Sequence, residues 1–338
     1  MSLTVGNARI GISRIPEYAT LLYRKAPTSV VTIGSIVISY LFRLAYNDYQ
    51  LFKALGKGGL GKPSILTWLI HTIALRPLAL PKRAAFDVNT FPLDDPEWKG
   101  MLAGLPKRKG ERPFVFGMIP HRQLEAIAPQ GGDIQKAIID HLSQIAKQNP
   151  DSITLALSTY EATDSPCLFV KHGNGSPAKP STMAKFYLAG TPAPHLALEG
   201  DERNRVLPRD PTKHELAHIH LSEGSMHLTL SPQDARKVVK EGYGERHRLA
   251  GMAYRGNYIP PYWLPNWMYN LVGGEANVRW SYQQVMLNKI KSNKIQQAGK
   301  LVPPTYTCIY APTNEEELQW TLNIIDSSVA WSLGRDVM

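Results

Sequence analysis

Three histidines, His218, His220 and His227, fall within ten residues of one another in the stretch KHELAHIHLSEGSMHLTL that runs from 213 to 230. The apolar runs 216–221 and 226–230 predict two strands joined by the four-residue turn Ser222-Glu223-Gly224-Ser225. Pairing Leu221 with Met226 sets His220 opposite His227 and His218 opposite Thr229. Side chains alternate along a strand. Ala217, Ile219, Leu221, Met226, Leu228 and Leu230 then form an apolar face that must pack on a core, while His218, His220, His227 and Thr229 share the other face.

Such a cluster supports two chemistries. In a metal-free pocket it supplies a general base and hydrogen-bond donors. Alternatively, the H-x-H pair and a third histidine from the neighbouring strand ligate a divalent metal such as zinc or iron through His218, His220 and His227. A patch stabilised only by ring stacking is the remaining option, and three histidines on one face of a hairpin are an unusual surface for it. The metal-free reading leads, and the metal stands as its alternative.

A short helix follows. Ser231 is its N-cap, Pro232 its first residue, Asp234 lies in the first turn and Gly242 closes it. Beyond it, GYGERHRLAG places Glu245, Arg246 and His247 in a glycine-flanked turn that would return toward the histidine face. The candidate catalytic residues are therefore His218, His220, His227, Arg246 and His247. Candidates for holding a substrate are Thr229, Tyr243, Glu245 and Tyr310, the last at the end of a strand predicted over 305–311. The segment 252–304 is aromatic, with Tyr258, Tyr262, Trp263, Trp267 and Tyr269 in its first part. Trp263 and Trp267 join the substrate-binding set if this segment closes as a lid over a planar molecule.

The elements that must position these residues read as an α+β domain. An apolar fraction of 43% with 20% charged residues is enough for a sizeable core. A helical pattern covers 134–145, short strands are predicted at 152–158 and 166–171, and the strand at 305–311 leads into a helix capped by Thr313. That helix carries Leu318, Leu322, Ile325 and Val329 on one face. The order predicts an antiparallel-rich sheet with packed helices over 84–338, with 84–113 as a linking loop rich in Pro, Gly and charge. Two cysteines cannot build a disulfide framework or a Cys-rich zinc site.

The net charge of +10 favours anionic partners. No RNP, helix-turn-helix or zinc-finger pattern is present, so the expected partner is a membrane surface and not nucleic acid. The 17 uncharged residues of 26–42 lie between Lys25 and Arg43 and sit at the lower bound for a spanning helix. A second uncharged run, 63–75, suits an interfacial helix. The segment 1–83 is thus predicted to be helical and membrane-associated, anchored around 26–42 in an endomembrane. No small-residue cleavage pattern follows the apolar run, so it reads as an anchor that stays.

The stretch KHELAHIHLSEGSMHLTLSPQDARKVVKEGYGERHRLAG, followed by YTCIYAPTNEEEL, resembles the fungal luciferase family and its non-luminous relatives. The resemblance is close over 212–251 and 305–331 and weaker over 43–76. The matching positions are His218, His220, His227, Gly242, Gly244, Arg246, His247, Tyr310, Ala311 and Pro312. The resemblance implies an enzyme of secondary metabolism with a small aromatic or polyketide substrate. In the luminous members that substrate is the styryl-pyranone 3-hydroxyhispidin. It further implies molecular oxygen as co-substrate without a flavin, a divalent metal being left open, and an amino-terminal membrane helix. On this reading His218 or His220 ionises an acidic enol and Arg246 stabilises the anion. A cyclase, isomerase or decarboxylase on the same pocket is the alternative, and a non-catalytic lipid or metabolite carrier a second one. The segment 252–304 is expected to be an insertion relative to the compact luciferases.

Overall fold

The structure is a computed structural model that describes residues 2–5, 8–11, 15–56, 61–76, 79–80, 82–124, 131–161, 165–172, 177–188, 191, 196–197, 213–250 and 302–335. The chain divides into two compact units, Met1–Lys53 and Ala54–Met338.

In the first unit a small hairpin, β1 (Ser2–Val5) and β2 (Ala8–Gly11), precedes helix α1 (Ile15–Lys25) and helix α2 (Pro27–Ala54). Helix α2 is 28 residues long and continues well past the apolar run at 26–42. It is long and apolar enough to cross a membrane, and none of its most apolar window is buried. Val31, Ile33, Ile36, Ile38 and Phe42 all point outward.

The compact units meet at 53/54, so the part of the predicted 1–83 segment after Lys53 is counted with the second unit. Helix α3 (Ile65–Leu69) runs into a π-helical turn, Ile70–Leu75, and the chain after it belongs to the second unit. His71 is fully buried, Leu80 donates its backbone N–H to Arg248 O, and Ala79 packs with Leu249 and Tyr306. The 84–113 stretch is likewise no free linker. Phe91, Leu102 and Leu105 are in the main core, and Asp234 Oδ1 accepts from the backbone N–H groups of Met101 and Leu102 at 2.9 Å each.

The second unit is built on an antiparallel sheet of seven strands, as expected for an antiparallel-rich α+β domain. The strands are β5 (Ile153–Leu157), β6 (Pro166–Lys171), β7 (Leu196–Ala197), β8 (Lys213–Ile219), β9 (Met226–Thr229), β10 (Gly244–Arg246) and β11 (Tyr306–Ile309). Their order is β10-β11-β9-β8-β6-β5-β7. A separate two-stranded ribbon, β3 (Val115–Gly117) and β4 (His121–Gln123), contributes one residue to the site described below.

One face of the sheet is apolar. Leu155, Leu168, Val170, Ala217, Ile219, Met226, Leu228 and Ile309 pack there against helices α4 (Gly131–Gln148), α6 (Pro232–Glu241) and α7 (Glu315–Leu333). Helix α6 is framed as its sequence predicts: Ser231 Oγ accepts from Asp234 N, and Gly242 takes the left-handed conformation at φ +91°. Such a φ favours glycine. Helix α7 starts one residue later than expected. Asn314 is the cap, accepting from Glu317 N, while Thr313 donates from its N–H and hydroxyl to Glu317 Oε2. A shorter helix, α5 (Thr182–Leu188), lies against α7, with Tyr187 edge-on to Trp331.

The histidine hairpin forms with its loop displaced. His218 pairs with His227 and Ile219 with Met226, two residues out of the expected register. A slip of two keeps every side chain on its predicted face, whereas a slip of one would have inverted them. The turn becomes Leu221-Ser222-Glu223-Gly224, with His220 N donating to Ser225 O and Gly224 at φ +78°. Leu221 therefore leaves the apolar face and is 41% exposed.

Candidate functional site

The histidine face of the sheet is buried, and it collects more imidazoles than the hairpin supplies. His218 and His220 come from the end of β8, His227 from β9, His247 from the residue after β10 and His121 from the β3–β4 ribbon. All five are 4% exposed or less. Ring centroids lie 4.8 Å apart for His220 and His227, 5.1 Å for His218 and His227, 5.1 Å for His227 and His247, and 4.5 Å for His121 and His247. Tyr306 closes one side, 5.1 Å from His227 and 5.5 Å from His247.

Carboxylates brace these rings. His218 donates from Nδ1 to Glu215 Oε1 at 2.8 Å, and Glu215 also accepts from Ser158 Oγ, Thr159 N and Thr159 Oγ1. Strand period makes the His218 contact unexpected, because residues three apart point to opposite faces. The reason is a β-bulge. Leu168 pairs with Ala217 but Phe169 pairs with Glu215, so Leu216 is the extra residue and Glu215 turns over to the histidine side. His220 donates from Nδ1 toward Glu223 Oε1 at 3.1 Å and Ser225 Oγ at 2.9 Å. On its other edge, His220 Nε2 is 3.5 Å from Glu161 Oε1, which Arg122 holds at 2.6 Å through Oε2. Glu245 Oε1 is 3.4 Å from His121 Nε2, and Tyr310 donates to Glu245 Oε2 at 3.1 Å.

Burial sets the charge states. It pushes His121, His227 and His247 well below the usual imidazole range, helped by their cationic and imidazole neighbours. His247 accepts from Leu249 N at Nδ1, as a neutral ring does. His220 is the exception: burial disfavours its charge, but Glu223 and Glu161 outweigh that and raise it to about 9. Burial also works against ionised Glu161, yet His220 and Arg122 bring it down to about 2. Glu245 has no Lys or Arg in an ion pair with it among the described residues and is raised by burial to about 7. Burial pushes up the thiols Cys167 and Cys308 and the hydroxyl of Tyr306, so none of these is an anion at neutral pH.

Of the residues singled out by sequence, His218, His220, His227 and His247 meet in one cluster. Glu245 and Tyr310 adjoin it through His121, and Thr229 shares its face with Oγ1 buried and without a partner among the described residues. Arg246 does not reach it. The expected turn is strand β10, so Glu245 and His247 point one way and Arg246 the other. Its guanidinium donates to Pro304 O and Thr90 O at 3.0 Å each and lies over the Phe91 ring. Tyr243 also lies elsewhere, in the main core. Trp263 and Trp267, with the rest of 251–301, are outside the described residues.

Sequence reasoning missed His121, Glu161, Glu215, Glu223 and Tyr306. Glu223 and Tyr306 were legible in principle, being a turn acid three residues after an H-x-H pair and an aromatic at even spacing from Tyr310. His121 and Glu161 carry no local signal, and Glu215 is concealed by the bulge.

The buried ring nitrogens of His218, His220 and His227 lie within 4.8 Å of one another, as do ligand atoms of His121, His227 and Cys308, and of Cys167, Glu215 and His218. The arrangement can therefore move protons in a dry enclosure or hold a cation.

Comparison with known proteins finds fungal luciferases. A luciferase domain model matches residues 213–269, the hairpin, α6 and β10 included. The match runs past Gly251, so 252–269, expected to depart from the family, lie within its model. A luciferase of Neonothopanus nambi is 24% identical over 327 residues, covering 96% of this chain and 94% of that protein. One from Armillaria mellea is 26% identical over 308 residues, 89% of this chain and 87% of the other. One from Armillaria gallica is 26% identical over 241 residues, 70% of this chain and 64% of the other. No solved structure matches the chain significantly. The histidine hairpin thus lies inside the matched luciferase domain, and the chain is similar to fungal luciferases along nearly its whole length.

Proposed function

We propose that this chain is a luciferase-like enzyme that oxidises an enolic pyrone or polyketide-like metabolite with molecular oxygen. The observation that carries the reading is the buried cluster of five histidines, braced by Glu215, Glu223, Glu161 and Glu245, on a chain similar to fungal luciferases. An imidazole within reach of the enol takes its proton. The enolate is electron-rich, and oxygen adds to it with both oxygen atoms entering the organic product, so no external reductant is consumed. Arg246 takes no part, because the sheet lies between it and the histidines.

The same reading holds the enzyme at a membrane by α2, in keeping with its outward apolar side chains and the basic balance of the chain. The aromatic segment with Trp263 and Trp267 is proposed to cover the substrate.

Oxygen uptake with 3-hydroxyhispidin and a panel of hydroxypyrones tests the reading, with carbon dioxide and light recorded together. Uptake that disappears in His218→Ala supports it. Turnover of a panel member without oxygen uptake would point to a cyclase, isomerase or decarboxylase. Binding that survives His218→Ala without turnover would make the protein a carrier.

A further inference from the structure

We propose that His218, His220 and His227 form a binding site for a divalent first-row transition metal. The inference deepens the function proposed above and rests on that reading only for its use, since the geometry of the site stands by itself.

Three observations carry it. The ring nitrogens of these residues lie within 4.8 Å of one another, close enough that small rotamer adjustments bring them to the roughly 2 Å that imidazole–metal bonds require. The two histidines of β8 are also prepared as ligands. Glu215 accepts from His218 Nδ1 at 2.8 Å, and Glu223 with Ser225 takes up Nδ1 of His220 at 3.1 and 2.9 Å. A carboxylate on Nδ1 fixes the tautomer and the ring plane, the usual outer-shell arrangement of metal-bound histidine. It leaves Nε2 of His218 to present its lone pair, while at Nε2 of His220 a bound metal would displace the proton held toward Glu161. Finally, those Nε2 atoms have nothing better to do. His218 Nε2 is buried and has no hydrogen-bond partner among the described residues. His220 Nε2 has Glu161 Oε1 at 3.5 Å, beyond normal hydrogen-bond length.

A buried polar nitrogen left unmatched is costly, and a cation would engage both of these, with His227 as the third ligand in exchange for its contact with His121. Glu161 Oε1 is the carboxylate oxygen placed to complete the set, which would then hold three imidazoles and one carboxylate. That donor set suits zinc, iron, copper or nickel and not magnesium or calcium.

The other two groupings are weaker. In Cys167–Glu215–His218 the histidine would have to use the nitrogen already committed to Glu215, and Cys167 Sγ donates to Leu168 O. In His121–His227–Cys308, His121 Nδ1 and His227 Nε2 are within hydrogen-bond distance of each other at 3.3 Å. His247 is excluded as a ligand through Nδ1, which accepts from Leu249 N.

The test uses the full-length chain in detergent, stripped with chelator and titrated with Co2+ and Zn2+. Metal is counted by mass spectrometry, and cobalt is followed by its visible d–d absorption. One tightly held ion per chain is expected, with cobalt bands indicating nitrogen ligation. His218→Ala and His220→Ala should lose the ion. Glu215→Gln, which touches no metal and keeps the fold, should weaken binding by about 10–100-fold. The proposal is overturned if the stripped protein takes up no ion, or if an ion binds equally well to the histidine variants and to Glu215→Gln. Ion binding without oxygen uptake on any substrate would sink the oxidation reading and leave the metal site standing. Full oxygen uptake by a protein that takes up no ion would do the reverse.

Discussion

Glu245 and Arg246 are neighbours in sequence with opposite fates, and each makes a separate prediction. Glu245 is buried, with Tyr310, Cys308 and His121 around it and Arg248, Lys82 and Arg112 acting from further away. Its carboxyl rises from 4.5 to about 7, mainly through burial. A carboxyl whose pKa is raised on folding binds its proton more tightly in the native state. Its contribution is present below the unfolded value of 4.5 and is lost as pH climbs to about 7. Glu245→Gln should therefore flatten the decline in stability between about pH 5 and pH 8, read from denaturation midpoints in chelator. An unchanged pH profile would show that Glu245 is already ionised. Arg246 predicts loss of fold and not of chemistry. Removing its bonds to Pro304 O and Thr90 O in Arg246→Met should cost roughly 3 kcal/mol. The fraction that remains folded should keep its KM. A variant of normal melting temperature with a raised KM would return Arg246 to the site.

The hairpin register and the bulge are decided at the level of elements. With Leu221 in the turn and 41% exposed, Leu221→Lys should change stability by no more than about 0.5 kcal/mol. Leu228 is fully buried in the sheet–helix core, and Leu228→Ala should cost about 2–5 kcal/mol. The expected register, in which both leucines face the core, predicts comparable losses, so the pair of melting curves decides between the two. The bulge at Leu216 has a functional consequence as well. It is the only way for Glu215 to reach His218, three residues along the same strand. Glu215→Ala should then impair turnover far more than it impairs folding, because Ser158 and Thr159 can turn to water while His218 loses its orienting partner. Equal loss of both would make Glu215 a structural residue.

For the molecule as a whole, the division at 53/54 gives a sharper truncation than the composition of 1–83 suggests. Helix α2 presents its apolar side chains outward along its length, and α3 belongs to the second unit. Removing residues 1–53 should move the protein from the membrane pellet to the supernatant while sparing oxygen uptake in detergent. A truncated chain that still pellets would transfer the membrane role to the exposed face of Ile65, Leu66 and Ile73.

The sequence by itself determined what depends on local chemistry and on period. The α+β class, the N-cap and C-cap of α6, the apolar run at 26–42, and the shared face of His218, His220 and His227 all follow from composition, caps, turns and alternation. Those signals act within a few residues of one another. The two-residue slip of the hairpin left the faces intact for the same reason, since the strand period is two. Only the tertiary structure decided the rest of the site. His121 arrives on a separate ribbon and Glu161 from a loop beyond β5, and no local pattern records contacts so far apart in the chain. Arg246 was assigned to the wrong side and Glu215 was passed over, because in each case the backbone differs from the one expected. A strand stood where a turn was expected, and a bulge interrupted a strand expected to be regular. A single extra or missing residue of that kind inverts a side chain's direction, and it is set by packing between strands and not by the residues it inverts.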